Sequence, residues 1–396
     1  MSKIVFFCIP AHGHTNPTLG VVNELAARGH EVIYYSYNSF REKIEAAGAR
    51  FVSCDEFDAE CRLSPEDAAK VGSDLALSVR LLTDTTLALD ATVCAEMERL
   101  KPDCIVADSM AVWGKAVACK LGIPFVSSTT TFAFNRYSAK IMKQSAGKLL
   151  SMLISMPKIN RDIERLQAGG YPIKSVLDLI QNDDLTHTIV YTSPEFQPAS
   201  ETFSDRYAFV GPSIRPATQE IKKVRDKLVY ISLGTVVTAA QNKKLLRFYQ
   251  NCIKAFENSP YQVIFSAGSA LPVSEIGEIP SNISVHASVD QIAVLEKADV
   301  FLSHCGMNSA SESLYHGVPL VMYPQTDEQG GVAARISQVG AGILLTKTTP
   351  QAIRTAVDEL LANSTCRAAA QVIAESFKRC TGAKGAADKI LSLCKE

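Results

Sequence analysis

The stretch VFLSHCGMNSASESLYHGVPLVMYPQTDEQ, residues 300–329, reads as a strand, a polar turn, a helix and a second strand in immediate succession. Val300 to Ser303 is a short apolar run of strand type, and Ala310 to His316 carries helical spacing that Gly317 stops. Gly-Val-Pro then opens a strand from Leu320 to Tyr323. A turn leading from the carboxyl end of a parallel strand into a helix aims unpaired backbone N–H groups and the positive end of the helix dipole at one point, which suits a phosphate. Gly306 lets the backbone approach a ligand, and His304, Asn308 and Ser309 can donate further hydrogen bonds to anionic oxygens. Ser309-Ala-Ser-Glu312 also fits a capping box, which would use both side chains to finish the helix end. Capping alone does not require the second polar cluster, Asp327, Glu328 and Gln329, that follows the next strand.

Outward from this stretch the second half of the chain keeps alternating. Strands are expected at Leu228 to Leu233, Gln262 to Ser266, Ile283 to His286 and Gly342 to Leu345, with two or three helices from Pro350 to Leu393. The first half has the same character. Ile4 to Ile9 is a buried-strand run, Pro17 to Arg28 a helix stopped by Gly29, and Glu31 to Tyr37 a second strand, which together make a βαβ unit. Further strands at Arg50 to Ser53, Asp103 to Ala107 and Pro124 to Ser127 alternate with helices near Ser39 to Ala47, Pro65 to Leu100 and Met110 to Leu121. Such alternation implies an α/β protein with mostly parallel sheets and helices on both faces. Between Asn135 and Asp184 the periodicity weakens, and the Met-rich run from Lys148 to Pro157 reads as core packing or as a flexible apolar pocket wall.

At 396 residues the chain suggests two domains. Gly211 to Lys227 mixes Gly, Pro and charge without apolar periodicity, so the linker is placed there. The expected domains are residues 1–212 and 213–377, with a terminal helix, about 378–396, packing back on the first. Open α/β sheets bind ligands beyond the carboxyl ends of their strands, so the active site is expected in a cleft between two facing doubly wound domains.

Composition excludes several classes. With 40 basic and 41 acidic residues the net charge is −1, and no basic stripe stands out, which disfavours nucleic acid and anionic membranes as partners. Eleven cysteines without a CxxC pair argue against a disulfide framework and structural zinc, and point to a reducing, cytoplasmic setting. The run from Ile4 to Ile9 is short for a signal peptide and lacks a convincing cleavage site, and no stretch reaches the eighteen or so apolar residues of a membrane span.

Two other places carry chemistry. The loop after the first strand, Pro10-Ala-His-Gly-His14-Thr-Asn16-Pro17, is not a dinucleotide fingerprint, because G-x-G-x-x-G is missing. Asn16 and Pro17 suit the N-cap and first helical positions. His14, near a strand carboxyl end, can act as a general base, and Asp108, ending the strand IVAD of the same expected sheet, can orient it. Ser232-Leu-Gly234-Thr235 follows the first strand of the second domain and adds a glycine and a hydroxyl near the proposed phosphate site.

These stretches together resemble the nucleotide-sugar glycosyltransferases of GT-B fold, the UDP-dependent group that includes bacterial macrolide glycosyltransferases and plant enzymes of secondary metabolism. The most specific part runs from Gln291 through HCGMNS, Glu312 and the GVP of Gly317 to Pro319, on to Pro324, Glu328 and Gln329. The resemblance implies that Gln291 and the backbone of Val289 lie by the uracil and ribose, and that Glu312 bonds the ribose hydroxyls. It further implies that His304, Asn308, Ser309 and Thr235 hold the diphosphate beside Gly306, that Asp327, Glu328 and Gln329 contact the donor sugar, and that Thr130 and Thr131 lie near the diphosphate or sugar. His14 matches the family's catalytic base and Asp108 its partner. One departure is visible: Ser288 stands where plant members carry a stacking Trp, and Asp290 where Pro is common.

The expected reaction is therefore an inverting transfer of a hexose, with glucose the default, from a UDP-sugar co-substrate to a hydroxyl of a hydrophobic acceptor such as a flavonoid, another phenol or a macrolide. The acceptor wall is expected from about Phe57 to Leu89 and Asn135 to Asp184. No metal or cofactor is expected, since the helix end, His304 and the hydroxyls would meet the charge on the leaving diphosphate and no Asp-x-Asp occurs. The rival readings are a nucleotide-sugar epimerase of the same architecture and a non-catalytic UDP-sugar-binding protein.

Overall fold

β1 (Lys3–Phe7), β2 (Glu31–Ser36) and β4 (Cys104–Asp108) are almost wholly buried, as strands covered on both faces must be. The computed structural model describes residues 1–55, 74–141, 146–175, 178–179, 186–234, 239–268 and 275–394. Thr235 and parts of the expected acceptor wall, including Phe57, lie outside the described residues. The chain divides into two units, Met1–Ser193 with Ala199–Ser213 and Cys380–Glu396, and Pro194–Pro198 with Ile214–Arg379.

In the first unit β1 is followed by α1 (His12–Ala27), β2, α2 (Arg41–Ala46), β3 (Arg50–Ser53), α3 (Leu75–Leu100), β4, α4 (Val112–Leu121), β5 (Phe125–Thr129), α5 (Ala146–Ala168), β6 (His187–Val190) and β7 (Tyr207–Phe209). The sheet is parallel, in the order β3-β2-β1-β4-β5-β6-β7. Successive residues of β1 serve opposite layers: Ile4 and Phe6 pack with Val21, Val22 and Leu25 of α1, while Val5 and Phe7 pack with Val93 and Met97 of α3 and Trp113 and Val117 of α4. β6 and β7, of four and three residues, are not among the strands expected from the sequence.

Two helix starts differ from the sequence expectation. α1 begins at His12, before Pro17, with His14 N and Thr15 N both donating to Ala11 O. Pro17 therefore lies inside the helix and Asn16 is not its N-cap. At the sixth helical position the proline forgoes one intrahelical N–H bond. The second difference concerns the helix after β11 and belongs to the site below.

The second unit runs β8 (Leu228–Ser232), α6 (Ala239–Phe256), β9 (Gln262–Ser266), β10 (Ile283–His286), α7 (Gln291–Leu295), β11 (Val300–Ser303), α8 (Met307–Tyr315), β12 (Leu320–Met322), α9 (Asp327–Gln338), β13 (Gly342–Leu344), α10 (Pro350–Ala362) and α11 (Ser364–Arg379). Its parallel sheet has the order β10-β9-β8-β11-β12-β13, with Val229, Ile231, Val263, Phe265, Val300, Leu302 and Val321 in one core. Thr349 caps α10 by accepting from Ala352 N, and Pro350 takes the first helical position, where its missing N–H costs nothing.

The last helix, α12 (Gly382–Leu391), belongs to the first unit. Its Ala386, Ala387 and Ile390 enter the α1 layer of the core, and Arg28 Nη1 donates to Asp388 Oδ1 at 2.6 Å. The short segment Pro194–Pro198 belongs to the second unit, where Phe196 O accepts from Arg335 Nε at 2.9 Å and the Phe196 ring meets Phe377 edge-on.

Candidate active site

In each sheet the strand order reverses once, at β1/β4 in the first unit and β8/β11 in the second. Ligands of open α/β sheets bind beyond the strand ends at such points. His14 and Asp108 follow β1 and end β4 at the first of these points, and His304, Gly306, Asn308 and Ser309 follow β11 at the second.

β1 and β4 are neighbours, with Phe7 paired to Ala107, so the chain leaving β1 and the last residue of β4 emerge side by side. His14, in the first turn of α1, and Asp108 thus meet although 94 residues apart, His14 Nδ1 lying 2.8 Å from Asp108 Oδ2. The Asp108 side chain is fully buried and that of His14 is 25 % exposed. Asp108 Oδ1 accepts from Met110 N at 2.9 Å, which fixes the carboxylate plane. Thr130 follows β5, which pairs with β4, and its hydroxyl stands 3.2 Å from the same His14 Nδ1. With Nδ1 held by a carboxylate, proton exchange with a substrate falls to Nε2. Thr131 Oγ1 is buried and has no hydrogen-bond partner among the described residues.

In the second unit Ser303, ending β11, pairs with Ser232, ending β8. The turn between β11 and α8 is His304-Cys305-Gly306. Cys305 is buried at φ +66°, a conformation that a non-glycine residue keeps only when its surroundings enforce it. Its N–H donates to Ser303 Oγ at 3.1 Å. Gly306 is the N-cap of α8 and gives no side-chain capping bond.

The His304 ring lies between two glycines. A Cβ placed on Gly306 would stand 2.7 Å from His304 Nε2, and one on Gly234, itself at φ +83°, would stand 2.8 Å from it. Burial lowers the His304 pKa to about 4, against a smaller opposing effect of a backbone hydrogen bond with Ser232. His304 therefore serves at neutral pH as a neutral hydrogen-bonding ring rather than as a cation. Its Nδ1 is buried without a partner among the described residues, a costly state that a bound ligand could relieve.

Ser309 and Glu312 do not form the capping box that their spacing allows. α8 begins at Met307, two residues before Ser309, so both residues lie inside the helix, one turn apart on one face. Gln291, opening α7, donates from Nε2 to Glu312 Oε2 at 2.6 Å and to Ser309 Oγ at 3.2 Å. Its Oε1 accepts from the Tyr230 hydroxyl of β8 at 3.0 Å. Burial raises the Glu312 pKa, and the Gln291 hydrogen bond and the charge of Arg215 partly oppose it. Tyr230 is a member of this network that sequence reasoning missed, because a tyrosine in an apolar strand run reads as core.

A side-chain cap does exist one helix later. Thr326 Oγ1 accepts from Gln329 N at 3.3 Å, and Gln329 Oε1 accepts from Gln325 N at 2.8 Å. The Gln329 side chain is thus engaged at its own helix end, while Asp327 and Glu328 are exposed in the first turn of α9. Asn308, second in α8, and Val289, just ahead of α7, are partly buried.

Solved structures share this architecture. The glycosyltransferase of kitacinnamycin superposes with TM-score 0.85 at 26 % identity, over 100 % of this chain and 99 % of that one. The fold is therefore GT-B, two parallel-sheet α/β domains. Residues 263–383 match the family model described as Erythromycin biosynthesis protein CIII-like, C-terminal domain. NDP-glycosyltransferase YjiC of Bacillus subtilis is 31 % identical over 98 % of this chain and 96 % of its own. A second protein of that organism, described as an uncharacterized UDP-glucosyltransferase, YojK, is 31 % identical over 100 % of this chain and 98 % of its own. The chain belongs to the GT-B family of nucleotide-sugar-dependent glycosyltransferases, among those of macrolide and natural-product type. A nucleotide-sugar donor and a small-molecule acceptor follow from that membership. Among the described residues no helix is long and apolar enough to cross a membrane.

Proposed function

We propose that the protein catalyses an inverting, metal-independent transfer of a hexose, glucose in the first instance, from a UDP-sugar to a hydroxyl of a hydrophobic small molecule such as a flavonoid, another phenol or a macrolide, in a reducing compartment such as the cytoplasm. The observation that carries this reading is the His14–Asp108 pair, with Nδ1 and Oδ2 2.8 Å apart at the strand-order reversal of the first unit. In a single displacement the acceptor oxygen attacks the anomeric carbon, its proton passes to His14 Nε2, and the bond from that carbon to the diphosphate breaks with its electrons leaving on UDP. Asp108 stabilises the imidazolium so formed.

Donor binding falls to the second unit. The amino end of α8, Asn308, Ser309 and the neutral His304 ring receive the diphosphate, with Thr235 expected beside them, and Glu312 receives the ribose hydroxyls next to Gln291 and the Val289 backbone. Asp327, Glu328 and Gln329 face the sugar, with Thr130 and Thr131 supporting the transfer from the first unit. The description of one relative as a UDP-glucosyltransferase supports uridine and glucose, and the kitacinnamycin enzyme supports a natural-product acceptor.

The test is a panel of phenols and macrolides against several UDP-sugars, with product mass and anomeric configuration as readouts. The expected result is a β-glycoside from UDP-α-glucose, formed only when an aglycone is supplied and unaffected by EDTA. Retention of configuration, sugar conversion without an acceptor, or strict dependence on added Mg²⁺ would contradict the proposal.

A further inference from the structure

Asp290 sits between Val289 and Gln291, immediately ahead of α7, and is 7 % exposed. As N-cap of α7 its side chain could bond the helix's own N–H groups, yet it makes no such bond. Instead the carboxylate reaches across to the connection before β8. Oδ1 accepts from Arg215 Nη2 at 2.7 Å, and Oδ2 accepts from Thr218 N at 2.5 Å and from Thr218 Oγ1 at 2.7 Å. Burial by itself would raise the carboxyl pKa, but these donors outweigh it and hold Asp290 well below the usual carboxylate range.

Three charge-assisted hydrogen bonds to one buried carboxylate restrain the backbone that carries it. The restrained φ is −71°, inside the window a proline ring would impose. On either side stand the residues read above as donor contacts, and Gln291 reaches Ser309 and Glu312 from there.

We propose that Asp290, clamped by Arg215 and Thr218, is a positioning residue of the donor site: it fixes the Ser288–Val289 backbone and the start of α7, and thereby aims the Gln291 amide at Ser309 and Glu312. This rests on the reading of residues 289–312 as the nucleotide site. The clamp touches no reacting atom, so it acts on donor affinity and leaves the chemical step alone. Arg215 has a second effect, because it neutralises Asp290 next to Glu312, whose pKa the Asp290 charge raises and the Arg215 charge lowers.

The experiment measures the Kd for UDP by calorimetry, kcat with saturating donor, and Tm, in the full-length protein. Asp290→Ala is expected to raise Kd about tenfold, or ~1.4 kcal/mol, with kcat within about twofold of the parent. Asp290→Pro, which replaces the clamp by a ring that imposes the same φ, is expected to bring Kd back to within about threefold. Thr218→Val removes one donor and keeps the ion pair and the Thr218 N–H bond, and is expected to raise Kd about two- to threefold with a smaller loss of Tm than Asp290→Ala. That variant decides the matter should the Asp290 variants fail to fold. An unchanged Kd in Asp290→Ala or Thr218→Val overturns the proposal, as does a kcat loss without a Kd change, or Asp290→Pro being as impaired as Asp290→Ala. Failure of the parent protein to bind UDP would instead refute the nucleotide reading on which the proposal stands.

Discussion

Replacing Asp108 by Asn should separate orientation from charge at the His14 nitrogen. The amide is nearly isosteric, and its oxygen can still accept from Met110 N, now bonded to Asp108 Oδ1 at 2.9 Å. What then faces His14 Nδ1, 2.8 Å from the present Oδ2, is an NH2 group. That donor requires Nδ1 to be the acceptor, so the ring proton moves to Nε2, the atom that takes the proton of the acceptor hydroxyl in the proposed reaction. The imidazolium also loses its counter-charge. For unit charges about 4 Å apart at an effective dielectric constant of about 20, that attraction is ~4 kcal/mol. Expressed in the transition state, this is roughly a thousandfold in kcat. The hydroxyl of Thr130, 3.2 Å from the same nitrogen, can offset part of the loss of orientation but none of the loss of charge. Steady-state kinetics with a fixed acceptor, together with UDP titration by calorimetry, tests the reasoning. It is wrong if Asp108→Asn keeps kcat within tenfold, or if UDP affinity falls in proportion to kcat.

His14→Ala should reduce turnover by a hundredfold or more with UDP binding unchanged, because His14, the proposed base, and the proposed nucleotide residues 289–312 belong to different units, and a parallel loss of binding would refute that division of roles. Gly306→Ala places a Cβ 2.7 Å from His304 Nε2, so the ring must shift, and donor Kd should rise about tenfold while the unfolding free energy falls by an overpacking cost of ~1–3 kcal/mol. His304 titrates near 4 when folded against about 6.5 unfolded, so between those values the unfolded chain binds the extra proton and stability falls as pH falls, by up to ~3 kcal/mol. His304→Gln should remove that slope from urea-denaturation curves measured between pH 4 and 6.5. Glu312 loses its charge at a higher pH than an ordinary carboxylate, so donor affinity should weaken on acidification, and Arg215→Gln, which removes a charge that favours the ionised form, should move that loss to higher pH.

Much of this was legible along the chain because it depends on local spacing. Strand β11, the glycine after His304-Cys305 and the helix after it are adjacent in sequence, so a phosphate-type turn could be read without knowing the sheet. Where two local rules competed, sequence could not arbitrate. Ser309 and Glu312 satisfy the spacing of a capping box, but the helix starts at Met307, and a side-chain cap sits one helix later, where Thr326 Oγ1 accepts from Gln329 N. Pro17 suits a first helical position, yet α1 starts more than a turn earlier, at His12, and carries it internally. The partners of Gln291 were also out of reach, since Tyr230 looks like any core residue of a strand until β8 is set beside β11.

The sequence by itself determined the α/β class, the order of most strands and helices, and the identity of the residues at the carboxyl ends of the strands, all consequences of periodicities of two and 3.6 residues acting over a few turns. Tertiary structure alone decided which of those ends are neighbours. Hydrogen bonding of β1 to β4, and of β8 to β11, brings His14 onto Asp108 and sets His304 between Gly234 and Gly306. Strand order is chosen by how the crossover helices pack on the sheet, a long-range balance of burial that no window of sequence contains.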